Sequence, residues 1–146
     1  MNSEITRTVR SVQSERRFQA QLPASLRGAH RARLLAVEQL RTWERASDDT
    51  TDAAQIIAEL AANAAAHGRV PARDFRLALA ERADGTLRIE VADTRGDRLP
   101  VVRDPDGEDE SGRGLVIVAA LADRWGVERG PEPLKTVWAE LDGRRR

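Results

Sequence analysis

Cysteine and tyrosine are absent from this 146-residue chain, and two Phe and three Trp supply all of its aromatic rings. Without cysteine the chain can form no disulfide, zinc-thiolate site or thiol nucleophile, and a reducing compartment is allowed. Residues 1–17 contain no apolar run suited to a signal peptide or membrane span, so we expect a cytoplasmic protein that does not act at a membrane. A chain of this length can still bury a core as one domain.

A net charge is also missing, because 24 basic residues balance 24 acidic ones. The long-range field that drives nonspecific nucleic-acid binding is therefore absent, and we expect no direct contact with nucleic acid. Lys135 is the only lysine, and we interpret the many arginines as solvated surface. We expect a flexible N-terminal segment over 1–17, a single folded domain over 18–141 and a basic tail over 142–146.

The spacing of apolar residues predicts an α+β fold. Alternating residues predict strands, which cover residues 18–22, 75–79, 87–91, 127 and 137–141. Apolar residues three or four apart predict helices, which cover residues 26–45, 52–68 and 114–125. Helices segregated on one face of a mixed, mostly antiparallel sheet form a two-layer sandwich, and this is the architecture that we expect.

One polar stripe stands out in the second predicted helix, where Glu59, Asn63 and His67 recur every fourth residue beside an apolar face. A carboxylate and a carboxamide one turn apart at the edge of a core can act together on a metal-bound phosphate. Each residue alone is more often a solvated helix edge, but the complete spacing within an Ala/Leu/Ile helix favours a site. For His67 we favour a helix-end histidine near the terminal carbonyls.

Two later features could complete such a site. Asp93 lies where the chain leaves a strand, a position that an ordinary turn-opening aspartate occupies equally often. Gly112 and Gly114 precede a predicted helix, where backbone amides can approach phosphate oxygens and Arg113 could add a charge-assisted contact; the alternative is a flexible hinge. The segment 94–113 has no helical or strand period, and we expect a mobile lid whose acidic part stays in solvent or faces a basic partner surface.

In order and spacing these motifs resemble the histidine kinase-like ATPase family, and within it the anti-sigma-factor serine kinases, over roughly Phe18 to Leu141. The resemblance implies ATP and Mg²⁺ as cofactors, with Asn63 coordinating magnesium, Glu59 acting as general base and Asp93 accepting a hydrogen bond from the adenine amine. The family pattern after this aspartate is Asp-x-Gly-x-Gly, of which only a displaced Gly96 is present. The resemblance assigns further nucleotide contacts to Gly96, Gly112, Arg113, Gly114, Leu115 and Thr136.

The resemblance also implies a role in transcription regulation. We expect a protein serine/threonine kinase that transfers the ATP γ-phosphate to an anti-anti-sigma-like protein and sequesters a sigma factor, with homodimer formation left open. A catalytically silent nucleotide-binding module is the first alternative, favoured by the displaced glycine and opposed by Glu59. A structural or interaction domain without nucleotide is the second, and it would require four motif positions to coincide by chance.

Overall fold

The computed structural model describes residues 15–67, 74–93, 114–130 and 135–143, and for residues 66 and 67 the backbone only. The elements in chain order are β1 (Arg16–Pro23), α1 (Leu26–Thr42), α2 (Ser47–His67), β2 (Asp74–Glu81), β3 (Leu87–Asp93), α3 (114–121), β4 (Arg124–Arg129) and β5 (Lys135–Leu141). The predicted lid over 94–113 and the side chain of His67 lie outside the described residues.

The five described strands form one antiparallel sheet in the order β1-β2-β3-β5-β4. β1, β2 and β3 follow one another along the chain, whereas β5 lies between β3 and β4. The helices of the described residues pack on one face of this sheet, so the predicted α+β sandwich is confirmed. None of the helices in this part of the chain is long and apolar enough to span a membrane.

Strand alternation decides which residues enter the core, because successive side chains point to opposite faces of a sheet. On β2 and over 87–91 of β3 the buried residues are every second one, and they pack against the apolar stripes of α1 and α2. Val118 brings α3 into the same cluster. The largest buried side chains are Phe75, Leu40, Ile56, Ile57, Leu60, Leu77, Leu79, Leu87, Ile89, Leu141 and Val118.

α2 begins earlier than its apolar pattern predicts. This helix was expected to cover residues 52–68, but it starts at Ser47 and the stretch 47–51 forms its first turns. Asp49 is buried there and its carboxylate lies 3.4 Å from the Arg45 guanidinium, which also contacts Glu81 at 2.8 Å. Acidic side chains in a first turn also suit the positive end of the helix dipole. Charge pairing thus extends the helix beyond its apolar face.

α3 ends earlier than predicted, at residue 121 rather than at Trp125. The Asp123 amide donates to the Glu140 carbonyl at 2.9 Å, and from Arg124 onward the chain pairs with β5 as the edge strand β4. The apolar residues near Trp125 also fit a helical period, so that period alone predicted the wrong element. Hydrogen bonding to a strand distant in sequence decided the boundary.

Candidate functional site

The polar edge of α2 lies directly against the start of α3. Gly114, the first residue of α3, is buried, and a Cβ built on it would lie 3.2 Å from Glu59 Oε1 and 3.4 Å from Asn63 Nδ2. The glycine therefore lets the backbone of a helix N-terminus approach a carboxylate and a carboxamide that are 55 and 51 positions away in sequence. The start of α3, where backbone amides have no partner within the helix, thus lies beside two polar side chains of α2.

Glu59 is also held from the preceding turn of α2. Gln55 Nε2 donates to Glu59 Oε2 at 3.3 Å, so Gln55, Glu59 and Asn63 form a ladder of residues four apart. The pattern of every fourth residue extends back to Gln55 in the sequence, which would have identified it as a member of the group. The hydrogen bond restrains the carboxylate that faces Gly114.

Asn63 connects this edge to Asp93 through a small pocket. Its walls are formed by Leu60, Asn63, Ala64, Val91, Asp93, Lys135 and Val137. Asp93 is 7% exposed, and it lies at the end of β3 as its sequence position predicted. The pocket encloses about 20 Å³, which is room for about one water molecule. A larger group needs more room than these described walls leave.

Lys135 is a member of the site that the sequence did not indicate. It is the strand partner of Asp93 across β3 and β5, so both side chains lie on the same face of the sheet. Burial lowers the pKa of the Lys135 ammonium, and the charge of Arg129 on β4 lowers it further; the charge of Asp93 opposes both without cancelling them. The pocket therefore places a carboxylate beside a partly desolvated amine.

The remaining predicted contacts divide into three groups. Leu115 packs its half-buried side chain against the hydrophobic core. Thr136 is the strand partner of Ala92 and points to the opposite face from Asp93, so the structure does not bring it into the pocket. Gly96, Gly112 and Arg113 lie outside the described residues. The structure thus brings together Glu59, Asn63, Asp93 and Gly114 and adds Gln55 and Lys135 to them.

The side of the sheet away from the helices carries another buried carboxylate. Glu140 is 6% exposed and accepts hydrogen bonds from the guanidinium groups of Arg82, Arg88 and Arg124, each at 3.0 Å. Burial acts to raise the pKa of Glu140, but the hydrogen bonds from Arg124 and Arg88 and the charge of Arg82 outweigh it and lower the pKa below its ordinary value. This cluster, Glu140 with its three arginines, has the geometry of a structural clamp.

An aromatic side chain completes the same face. The Arg88 guanidinium lies 4.4 Å from the centre of the Trp138 ring, and the ring lies over Gly126, where an added Cβ would come within 2.9 Å of it. Trp138 therefore packs across β4 and under Arg88, a favourable cation–π arrangement. This packing fastens the edge strand to the sheet.

The fold and the site define the class of protein. Residues 22–140 match the family model of the histidine kinase-like ATPase domain, and the chain belongs to this family. Membership implies ATP binding. No match to a curated protein was found.

Several solved structures share the fold. The chain is similar to the structure of the RsbU and RsbW domains of Rv1364c from Mycobacterium tuberculosis, at 22% identity and a TM-score of 0.69, over 90% of this chain and 33% of that one. It spans about a third of the length of the chain in that structure. It is also similar to a structure in the SiaB–SiaC complex from Pseudomonas aeruginosa, at 13% identity and a TM-score of 0.67, over 96% of this chain and 98% of that one.

Proposed function

We propose that this protein is an ATP- and magnesium-dependent protein serine/threonine kinase that regulates transcription. The observation that carries the proposal is the packing of Gly114 against Glu59 and Asn63, so close that an added Cβ would lie 3.2 Å from Glu59 Oε1 and 3.4 Å from Asn63 Nδ2. A helix N-terminus, a carboxylate and an amide group meet there, and these are groups that phosphoryl transfer can use. The adjoining pocket beside Asp93 would receive the adenine.

The groups around Gly114 fit a magnesium-bound phosphate. Asn63 offers an amide oxygen, and within the described residues no group of three or more histidine, aspartate or glutamate side chains could hold a metal ion by itself. A hard cation held by one amide oxygen needs phosphate and water oxygens to complete its shell. Bound magnesium would neutralise charge on the phosphates, and magnesium affinity should therefore depend on ATP.

In the proposed reaction a serine or threonine hydroxyl of a protein substrate attacks the γ-phosphorus of ATP. The bond between that phosphorus and the β–γ bridging oxygen breaks, ADP leaves, and Glu59 accepts the hydroxyl proton. Gln55, which donates to Glu59 Oε2, leaves Oε1 facing Gly114. This orientation supports the role of Glu59 as the base.

For the protein partners we propose an anti-anti-sigma-like protein as phosphate acceptor and a sigma factor as the protein sequestered. The similarity to the structures of the RsbU and RsbW domains of Rv1364c and of the SiaB–SiaC complex supports a protein partner for this fold. Homodimer formation is compatible with this proposal but is not needed for it. The cytoplasm is the compartment in which these partners would be met.

A catalytically silent module remains the rival, because the family glycines after Asp93 are displaced in the sequence. Calorimetric titration with ATP, with and without magnesium, tests ATP binding, which the kinase and the silent module both require. We expect binding that requires magnesium and is weakened by Asn63→Ala but not by Gln19→Ala, an exposed amide on β1. Absence of binding at millimolar ATP would contradict both functions. Magnesium-dependent binding without transfer to any protein substrate would favour the silent module.

A further inference from the structure

The feature that the proposed function does not use is Lys135. Every other residue of the Lys/Arg type in this chain is arginine, and the single lysine is the strand partner of Asp93. A lysine differs from arginine at such a place because its ammonium is a compact point charge on a flexible stem and tolerates partial desolvation with a lowered pKa. Its position and its chemistry both point to the pocket.

We propose that Lys135 determines base specificity by donating a hydrogen bond directly to N1 of adenine while Asp93 accepts one from the neighbouring exocyclic amine. This inference rests on the proposed nucleotide-binding function of the same site. The Watson–Crick edge of adenine carries a donor, the N6 amine, next to an acceptor, N1. A carboxylate accepts and does not donate, whereas an ammonium donates and does not accept.

The strand register supplies the spacing that this pairing needs. Directly opposed residues of an antiparallel pair carry their Cβ atoms about 4.5–5.5 Å apart on one face, and Asp93 and Lys135 are opposed in this way. Thr136 faces the other side of the sheet, so no hydroxyl from this part of β5 competes for N1. Val91 and Val137, one alternation further along the same strands, provide apolar walls for the base.

Because the pocket is small, Lys135 would have to move for a purine to enter. With room for about one water molecule, the pocket accepts a purine only if a wall moves. Lys135 has the longest and most flexible side chain among the residues that form the walls. Its ammonium attracts the Asp93 carboxylate, and adenine would enter between the two and satisfy both. The attraction within the pair is thereby exchanged for two hydrogen bonds to the base.

The test compares the affinities of two ligands for two protein variants, in the manner of a double-mutant cycle. ATP and 1-deaza-ATP, in which C–H replaces N1, are titrated with magnesium into the unmodified protein and into Lys135→Met. Methionine keeps much of the length and the apolar stem, so pocket filling is nearly preserved and only the donor is lost. Arg129→Met is the matched control, because it removes a neighbouring positive charge on β4.

We expect the unmodified protein to bind 1-deaza-ATP about ten- to a hundredfold more weakly than ATP, as for loss of a hydrogen bond to a charged group. Lys135→Met should bind both ligands with similar affinity, at the level of 1-deaza-ATP in the unmodified protein. Arg129→Met should keep the difference between the ligands. Equal ATP affinity in Lys135→Met and the unmodified protein would overturn the inference.

Two further readouts keep the outcomes distinct. Because the chain has one lysine, ¹⁵N-lysine labelling gives a single Nζ resonance, which ATP should shift much more than 1-deaza-ATP does, without any substitution. GTP reverses the order of donor and acceptor, and GTP binding as tight as that of ATP would contradict the assignment to adenine. If the unmodified protein binds no ATP, the proposed function fails together with this inference. If it binds ATP and neither Nζ nor Lys135→Met responds, only the inference fails.

Discussion

Asp93 and Glu140 lie on neighbouring strands and are buried to nearly the same degree, at 7% and 6% exposed, but they face opposite sides of the sheet. Glu140 receives hydrogen bonds from three guanidinium groups that hold it in one geometry. Asp93 lies beside the movable ammonium of Lys135 at the wall of a pocket. A buried carboxylate clamped by arginines stabilises a fold, whereas one beside a pocket and an adaptable cation is suited to binding.

The largest effect should come from the helix-facing side. Glu59→Gln is expected to lower phosphotransfer by about 10²- to 10⁴-fold, the range for a lost general base, because the amide cannot accept the hydroxyl proton. ATP affinity should change little, since the amide keeps the size of the carboxylate. Intact-mass analysis of a partner protein measures the transfer, with Glu38→Gln, an exposed change on α1, as the control. An unchanged transfer rate would contradict the role of Glu59.

On the face of the sheet away from the helices, Glu140→Gln should destabilise the protein and leave its ATP affinity unchanged. Losing the carboxylate leaves Arg88 and its two neighbours without their shared anion; because Arg82 and Arg124 are about half exposed, we expect a cost of only about 2 kcal/mol. This corresponds to about a thirtyfold change in the folding equilibrium. Chemical denaturation measures it, and the exposed Glu128→Gln on the same face should cost far less.

Two glycines allow the same comparison with a smaller change. Gly114→Ala brings a methyl group to 3.2 Å from Glu59, so we expect ATP affinity to fall about three- to tenfold while stability is nearly kept. Gly126→Ala drives a methyl group to 2.9 Å from Trp138 and should cost about 1–3 kcal/mol of stability with ATP affinity unchanged. Calorimetry and denaturation of both variants measure these effects. A loss of ATP binding in Gly126→Ala would contradict the claim that only the helix-facing side of the sheet binds ATP.

The smallest expected effect is the contribution of Glu140 to the pH dependence of the unfolding free energy. The folded-state pKa of Glu140 lies below its ordinary value of 4.5. Its stabilising contribution is therefore fully present above the unfolded-state pKa and is lost as the pH falls through the folded-state pKa. Denaturation between pH 6 and pH 3 should show a shallower decline in Glu140→Gln than in the unmodified protein. Parallel curves would indicate that Glu140 has the same pKa folded and unfolded.

The sequence predicted those parts of the fold and site that local patterns encode. The Glu59 and Asn63 spacing marks one face of α2, and alternation marks β2 and β3, because these periods follow from the geometry of a single element. The junction of α3 and β4 was predicted wrongly, since the bond from Asp123 to Glu140 joins residues far apart in sequence. The buried start of α2 was missed because Asp49 is held by a charge pair rather than by apolar contact.

The site was predicted unevenly for a similar reason. Resemblance to a family pattern pointed to Thr136. Side chains alternate between the two faces along β5, however, and this alternation puts Lys135 and Val137 on the pocket face. The alternation from Leu141 back to Lys135 would have shown which face Lys135 is on. The pairing of Lys135 with Asp93 depends on the register between two strands, which the sequence of one strand does not give. The closeness of Gly114 to Glu59 also depends on how α3 packs against α2. Long-range register and packing are what the sequence did not reveal.

The most direct test of the contrast between the two carboxylates measures ATP affinity and unfolding free energy for Asp93→Asn and Glu140→Gln. We expect Asp93→Asn to weaken ATP binding by about tenfold or more, with preference over GTP reduced and stability nearly kept. Glu140→Gln should lower stability and leave ATP affinity unchanged. The contradicting result is the reverse pattern, or ATP and GTP binding equally well to the unmodified protein, because Asp93 would then have no part in recognising adenine.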